Sequence, residues 1–174
     1  MEYSLVELDT ISDLPPGTQI AVKSFVKNLE PLLIFLLPVI NPDGRYYYHH
    51  GVYLGNGQVI NFHGESKADA KPRRCNVEEF RSRSEVDGKI YKVIYRNTAT
   101  VLRVHDTLVR ANKVLERPEE WPKFHIIYNN CETFATWLKT GQGFSVQVQD
   151  RLIYGLTSMI ALGLLILFLY KYSH

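Results

Sequence analysis

At 174 residues, 45% of them apolar and 22% charged, the chain suits one compact domain with at most one appendage, since a core of this size already buries roughly two-thirds of the chain's surface. Its eight prolines are scattered and no tract is low in complexity, which excludes a disordered or collagenous protein. Twenty Lys and Arg against eighteen Asp and Glu leave +2, and the densest basic stretch, 67–83, is diluted by Asp69, Glu78 and Glu79, so no nucleic-acid partner is expected.

The first eleven residues carry Glu2 and Glu7 where a secretory signal needs cations, so residues 1–11 are set apart as an N-terminal segment and the chain is not expected to enter the secretory lumen. The folded domain is placed at 12–148. Pro15-Pro16-Gly17 turns the chain into a predicted strand at 18–22. The apolar run 32–40, LLIFLLPVI, is too short and too broken by Pro38 to cross a bilayer as a helix. It lies between Pro31 and the turn Asn41-Pro42-Asp43-Gly44, and reads either as a loop dipping into a membrane or as a buried segment. Strands are predicted at 46–54 and 58–63, joined as a hairpin through Gly55-Asn56-Gly57, and again at 90–95. Helical spacing runs over 101–116. A second helix starts at Cys131, with Asn130 as its cap, Phe134, Ala135 and Leu138 as its apolar face, and Gly141 just past its end. The sum is an α+β domain, an antiparallel sheet with helices set to one side.

Residues 152–170 carry no charge. As a helix this stretch spans about 28 Å, close to the roughly 30 Å hydrocarbon core of a bilayer. Tyr154 and Tyr170 lie near its ends, and Arg151 and Lys171 flank it, as interfacial anchors do. Its apolar residues surround the helix instead of forming a stripe, which argues against a buried core helix. The expectation is a single-pass C-terminal anchor in an intracellular membrane, with the domain in the cytosol.

The register of the hairpin decides which histidine shares a face with what. A two-residue loop, Asn56-Gly57, would pair Gly55 with Gln58 and put His50 beside Asn61 and His63. A three-residue loop pairs Leu54 with Gln58, His49 with His63 and Gly51 with Asn61. That register, the preferred one, gathers Tyr47, His49, Asn61 and His63, with Gly51 leaving space for a pocket, and turns His50 away as an ordinary packed or solvated histidine. Cys131, at a helix start where free N–H groups stabilise a thiolate, is the candidate nucleophile; an inert buried cysteine is the alternative. Cys75, in the charged stretch Lys71-Pro72-Arg73-Arg74, reads as an incidental surface thiol. Without Cys-x-x-Cys spacing a disulfide scaffold or zinc ribbon is disfavoured, a reducing compartment fits, and a zinc site from His49, His63, Cys75 and Cys131 lacks any recognised ligand spacing. No cofactor is expected, and His105 and His125 default to structural roles.

The stretches HHGVYLGNGQVINFHG (49–64) and NNCETFATWLKTG (129–141) resemble the lecithin retinol acyltransferase family, and most of all its phospholipase A and acyltransferase branch, from about Leu14 to about Gly143. The resemblance implies a fold related to NlpC-type and papain-like thiol hydrolases in circularly permuted order. It makes Cys131 the nucleophile, His49 the base and Tyr47 an aid to the oxyanion. The family's third polar residue is usually histidine and is Asn61 here; its carbonyl oxygen could still orient the imidazole, with His63 as the rival. The same resemblance implies an anchored thiol enzyme that takes an acyl chain from a membrane glycerophospholipid onto Cys131 and passes it to water, an amine or a lysophospholipid. That is phospholipase A1/A2 and acyl-CoA-independent N- or O-acyltransferase activity; retinol is a less expected acceptor. The other readings are a catalytically weak, membrane-tethered interaction module and a cysteine peptidase or isopeptidase. An exposed Cys131 of low pKa favours the enzyme, an unreactive thiol the module.

Overall fold

The computed structural model describes residues 2–25 and 46–172. The apolar run 32–40, expected either to dip into a membrane or to be buried, lies outside the described residues. The described residues divide into two units, 2–25 with 48–146, and 46–47 with 147–172.

Six strands, β1 (Tyr3–Glu7), β2 (Gln19–Phe25), β3 (Tyr46–Gly55), β4 (Gln58–His63), β5 (Lys71–Asn76) and β6 (Ile90–Tyr95), form one sheet in the order β1-β6-β2-β3-β4-β5. The pairings β1–β6, β2–β6, β3–β4 and β4–β5 are antiparallel. β2 is buried on both faces, Ile20, Ala21 and Val22 all being fully enclosed, as suits a strand covered from two sides. Residues 3–7, set apart from the domain in the sequence, pair with β6 throughout, from Tyr3 with Tyr95 to Glu7 with Tyr91.

Two hydrophobic clusters hold the sheet, one on each face. On the first, Tyr53, Val59, Cys75, Ile20, Val22 and Ile90 pack with Val77 and Phe80 of a short helix, α1 (Val77–Arg81). On the second, Val52, Ile60 and Phe62 pack with Ala111 of α2 (Val104–Glu116) and with Phe134, Ala135 and Leu138 of α3 (Cys131–Thr140). Burying a side chain such as Phe134 or Leu138 stabilises the fold by about 1.5–3 kcal/mol. Helices therefore cover both faces, whereas the sequence placed them to one side. α2 begins at Val104, later than its apolar spacing suggested, because Val101, which closes a 3-10 turn at Thr98–Thr100, and Arg103 have non-helical backbone, with ψ 125° and 156°.

The β3–β4 hairpin combines the two registers read from the sequence. Its loop is the two residues Asn56 (φ +50°) and Gly57 (φ +69°), and Gly55, not Leu54, pairs with Gln58. An irregularity between Tyr53 and Gly55 makes Leu54 the extra residue, so Gly51 still faces Asn61 as expected.

The last helix, α4 (Val146–Tyr172), is exposed along its apolar length. Among the described residues its 146–170 span is the one helix long and apolar enough to cross a membrane.

Candidate active site

α3 starts where Asn130, in extended conformation, accepts the Thr133 N–H on its side-chain oxygen at 2.9 Å, and it ends on Gly141 at φ +82°. This is the predicted pair of caps. It fixes Cys131 as the first helical residue, its sulfur against the backbone of β3. Sγ accepts from the His50 N–H and lies 4.0 Å from the Tyr48 carbonyl oxygen. Only 9% of Cys131 is exposed. Burial pushes its thiol up to about 12, the His50 and helix N–H groups pulling down and the Glu132 carboxylate pushing up. Burial of the sulfur thus works against the expected low-pKa thiolate. A helix N-terminus is worth about 0.3–2 kcal/mol to an anion, less than the several kcal/mol that desolvating the anion costs.

Beside the sulfur lies a closed polar network. Glu132 is buried and accepts from the Tyr3 hydroxyl at 2.5 Å, from Ser145 Oγ at 2.5 Å and from the Val146 N–H at 2.7 Å. Tyr3, having given its proton to Glu132, accepts from His50 Nε2 at 3.4 Å; His50 Nδ1 then accepts from Gln19 Nε2 at 3.1 Å, and Gln19 Oε1 accepts from the Tyr95 hydroxyl at 2.5 Å. Both nitrogens of His50 are thus occupied, and burial holds the ring neutral.

His49 faces the other way. Its ring lies 5.6 Å from Phe80 and 5.8 Å from His63, on the face where a side chain at Gly51 would meet Phe80 and Val59. The space expected at Gly51 is therefore filled by Phe80 and is no pocket. Asn61, fully buried, donates from Nδ2 to Cys75 Sγ at 3.1 Å, which turns its Oδ1 toward His49 Nε2 at 3.3 Å. His49 then carries its proton on Nε2 and leaves Nδ1 as a lone pair. Burial first, then the nearby His63 and Arg83, pull His49 down to about 3.

His63 is engaged elsewhere. Its Nε2 meets the Arg83 guanidinium, which also pairs with Glu79 at 3.0 Å. Burial and then Arg83 hold His63 down at about 4. Cys75, read as a surface thiol, is buried in the first cluster, because it pairs with Val59 and takes the Asn61 amide on its sulfur, while Lys71 and Arg73 of the same strand face stay exposed; burial lifts it to about 11. Tyr47 stands at the second position of β3. His105 is exposed on α2, and His125 shapes the loop before Asn129. Among the described residues no group of three His, Cys, Asp or Glu side chains is placed to hold a metal.

The structure thus joins His49 to Asn61 and sets His63 beside them. Between the His49 ring and the Cys131 sulfur it shows no hydrogen bond or ring contact, and α3 packs on the opposite face of the hairpin. The residues of the polar network, Tyr3, Gln19, Tyr95, Glu132 and Ser145, were not singled out in the sequence. Glu132 alone had a cue, standing next to the cysteine in the N-C-E motif; the others enter through β1, β2, β6 and the approach to α4.

The family profile described as lecithin retinol acyltransferase matches residues 38–144, which include both histidine-bearing strands and α3. The chain belongs to the lecithin retinol acyltransferase family. It is also similar to phospholipase A and acyltransferase 1 of Rattus norvegicus, 27% identical over 128 residues that make up 68% of this chain and 74% of the relative. Membership of the lecithin retinol acyltransferase family and that similarity support an acyltransferase or phospholipase enzyme. Tyr3, Gln19 and all of α4 lie outside the matched family residues.

Proposed function

We propose that this protein is a membrane-anchored thiol enzyme that moves acyl chains from glycerophospholipids. The observation that carries the reading is that the family match spans a hairpin with a buried His–Asn pair and a helix with cysteine at its capped first position. In the proposed reaction Cys131 Sγ attacks the ester carbonyl, a C–S bond forms, and the ester C–O bond breaks as the leaving lysophospholipid oxygen takes the proton given up by the thiol. The thioester then passes its acyl group to water, an amine or a lysophospholipid. By family position His49 carries the proton, through the lone pair that Asn61 leaves on Nδ1, and Tyr47 assists the oxyanion. This assignment requires β3 and α3 to shift relative to each other when substrate enters, because Cys131 and His49 are both buried. The fold is read as the permuted papain-like one, and α4 as the anchor of a domain facing the cytosol.

One observation favours a second assignment of the base. His50 is the histidine on the α3 face, and its N–H already donates to Cys131 Sγ. For Nε2 to take the thiol proton, Tyr3 must give way and the ring must change tautomer, its own proton moving to Nδ1 and Gln19 turning its carbonyl oxygen to that nitrogen.

The test is intact-mass detection of an acyl adduct after the full chain, in detergent, meets mixed phospholipid vesicles. An adduct that disappears in Cys131→Ala is expected. A parent chain that forms no adduct and releases no fatty acid overturns the enzyme and leaves the interaction module.

A further inference from the structure

Immediately before the Cys131 helix the chain makes a small, internally braced loop. His125 and Asn129 exchange backbone hydrogen bonds, each 2.9 Å long. His125 Nδ1 accepts from the N–H groups of Ile127 and Tyr128 at 3.3 Å, and the His125 and Tyr128 rings stack 4.6 Å apart. Asn130 Nδ2 donates to the Ile126 carbonyl at 3.0 Å, and Trp121 Nε1 donates to Asn129 Oδ1 at 3.1 Å. The N–H groups of Ile127 and Tyr128 and the carbonyl of Ile126 are in this way satisfied from within the loop. Its side chains are not covered: Ile126, Ile127 and Tyr128 are 52%, 38% and 74% exposed. Three consecutive large apolar residues held out from a braced turn are a cost in water unless something covers them.

The start of α4 says what that is. The first residue of α4, Val146, is hydrogen bonded to Glu132, in the first turn of α3, and the tip joins the same end of α3 through the cap Asn130. The chain therefore leaves for its long apolar helix from the end of α3 at which the tip projects. We propose that the 126–128 tip seats in the interfacial layer of the bilayer crossed by α4, beside the end of α3 that carries Cys131. This rests on the membrane reading of α4. The three tip backbone groups already bonded within the loop lower the cost of leaving water, the interfacial layer can still hydrate the others, and a tyrosine beside two isoleucines suits the boundary between headgroups and acyl chains.

The chain's two tryptophans, Trp121 and Trp137, are both partly buried, so a tryptophan added at the tip reports the tip. Full-length Ile127→Trp is reconstituted in phosphatidylcholine vesicles containing phosphatidylcholine brominated near the headgroup end of its acyl chains. Quenching beyond that of the parent chain, with a blue-shifted emission, is expected; quenching equal to the parent's overturns the proposal. The triple variant Ile126→Ser, Ile127→Ser, Tyr128→Ser adds an activity arm. Its turnover of vesicle phosphatidylcholine falls at least about tenfold, the loss expected when even one large apolar side chain no longer partitions, while hydrolysis of a monomeric short-chain phosphatidylcholine is retained. An equal fall on both substrates overturns it. The quenching needs no turnover, so a failure of the proposed acyl chemistry and a failure of the tip contact give different results.

Discussion

The two faces of the β3–β4 hairpin carry two histidines one residue apart in opposite circumstances. On the α1 face His49 spends one nitrogen on Asn61 and keeps the other as a lone pair. On the α3 face His50 has both nitrogens occupied, by Tyr3 and by Gln19, and has the sulfur's company only through its backbone. The face with the free base and the face with the nucleophile are different faces. In this resting arrangement reactivity is withheld from the thiol by burial, and the choice of base depends on which face the substrate opens.

Cys131→Ala breaks the comparison outright. Both hydrolysis and transfer are expected to vanish together, because both pass through one thioester; fatty-acid release and acceptor acylation, measured side by side, check this. Next in size is the pair His49→Ala and His50→Gln. If His49 is the base, its loss costs at least about a thousandfold, the scale seen when a triad member is removed, and His50→Gln costs little in turnover. The reverse result assigns the base to the α3 face.

A smaller effect is expected at Asn61. Asn61→Ala removes the carbonyl that orients His49 and should slow fatty-acid release, with His63→Ala nearly silent, since His63 bonds to Arg83 and not to His49. Asn61→His restores the family's usual residue. Because Phe80 fills the space beside Gly51, the larger ring also overpacks the site by about 1–3 kcal/mol, visible as a lowered melting temperature.

The smallest effect is a slope. His49 titrates near 3 in the folded protein and near its ordinary 6.5 in the unfolded chain. The unfolded state therefore binds more protons between those values, and stability present above pH 6.5 is lost as pH falls toward 3. Denaturation in detergent across that range should show His49→Gln taking up about one proton fewer on unfolding than the parent chain does.

Much of this site could be read from residues because local chemistry wrote it there. Asn130 and Gly141 mark the two ends of α3, and β4 and β6 have the bounds their Val, Ile and Tyr content implies. The Gly51–Asn61 pairing comes from the hairpin glycines, although through a bulge at Leu54 in place of a longer loop. What failed was non-local. Nothing in YSLVE shows that Tyr3 crosses the sheet to reach Glu132, and KPRRCN has the composition of a loop. Which face α3 covers is decided by Phe134 and Leu138 finding Val52 and Ile60. That choice placed Cys131 away from the His49 ring, and no spacing within either motif encodes it.

The composition that hides β5 has a use of its own. β5 and β1 are the outer strands of the sheet, each with one row of backbone groups left for another chain to pair with. β5 meets that hazard with Lys71, Pro72, Arg73 and Arg74. A second β5 brought alongside would set cation against cation, and the proline can donate no hydrogen bond to it. β1 offers only Ser4 and Glu7 among its apolar residues and is the less guarded margin. Were the protein to aggregate, the fibre would grow from the Tyr3–Glu7 side.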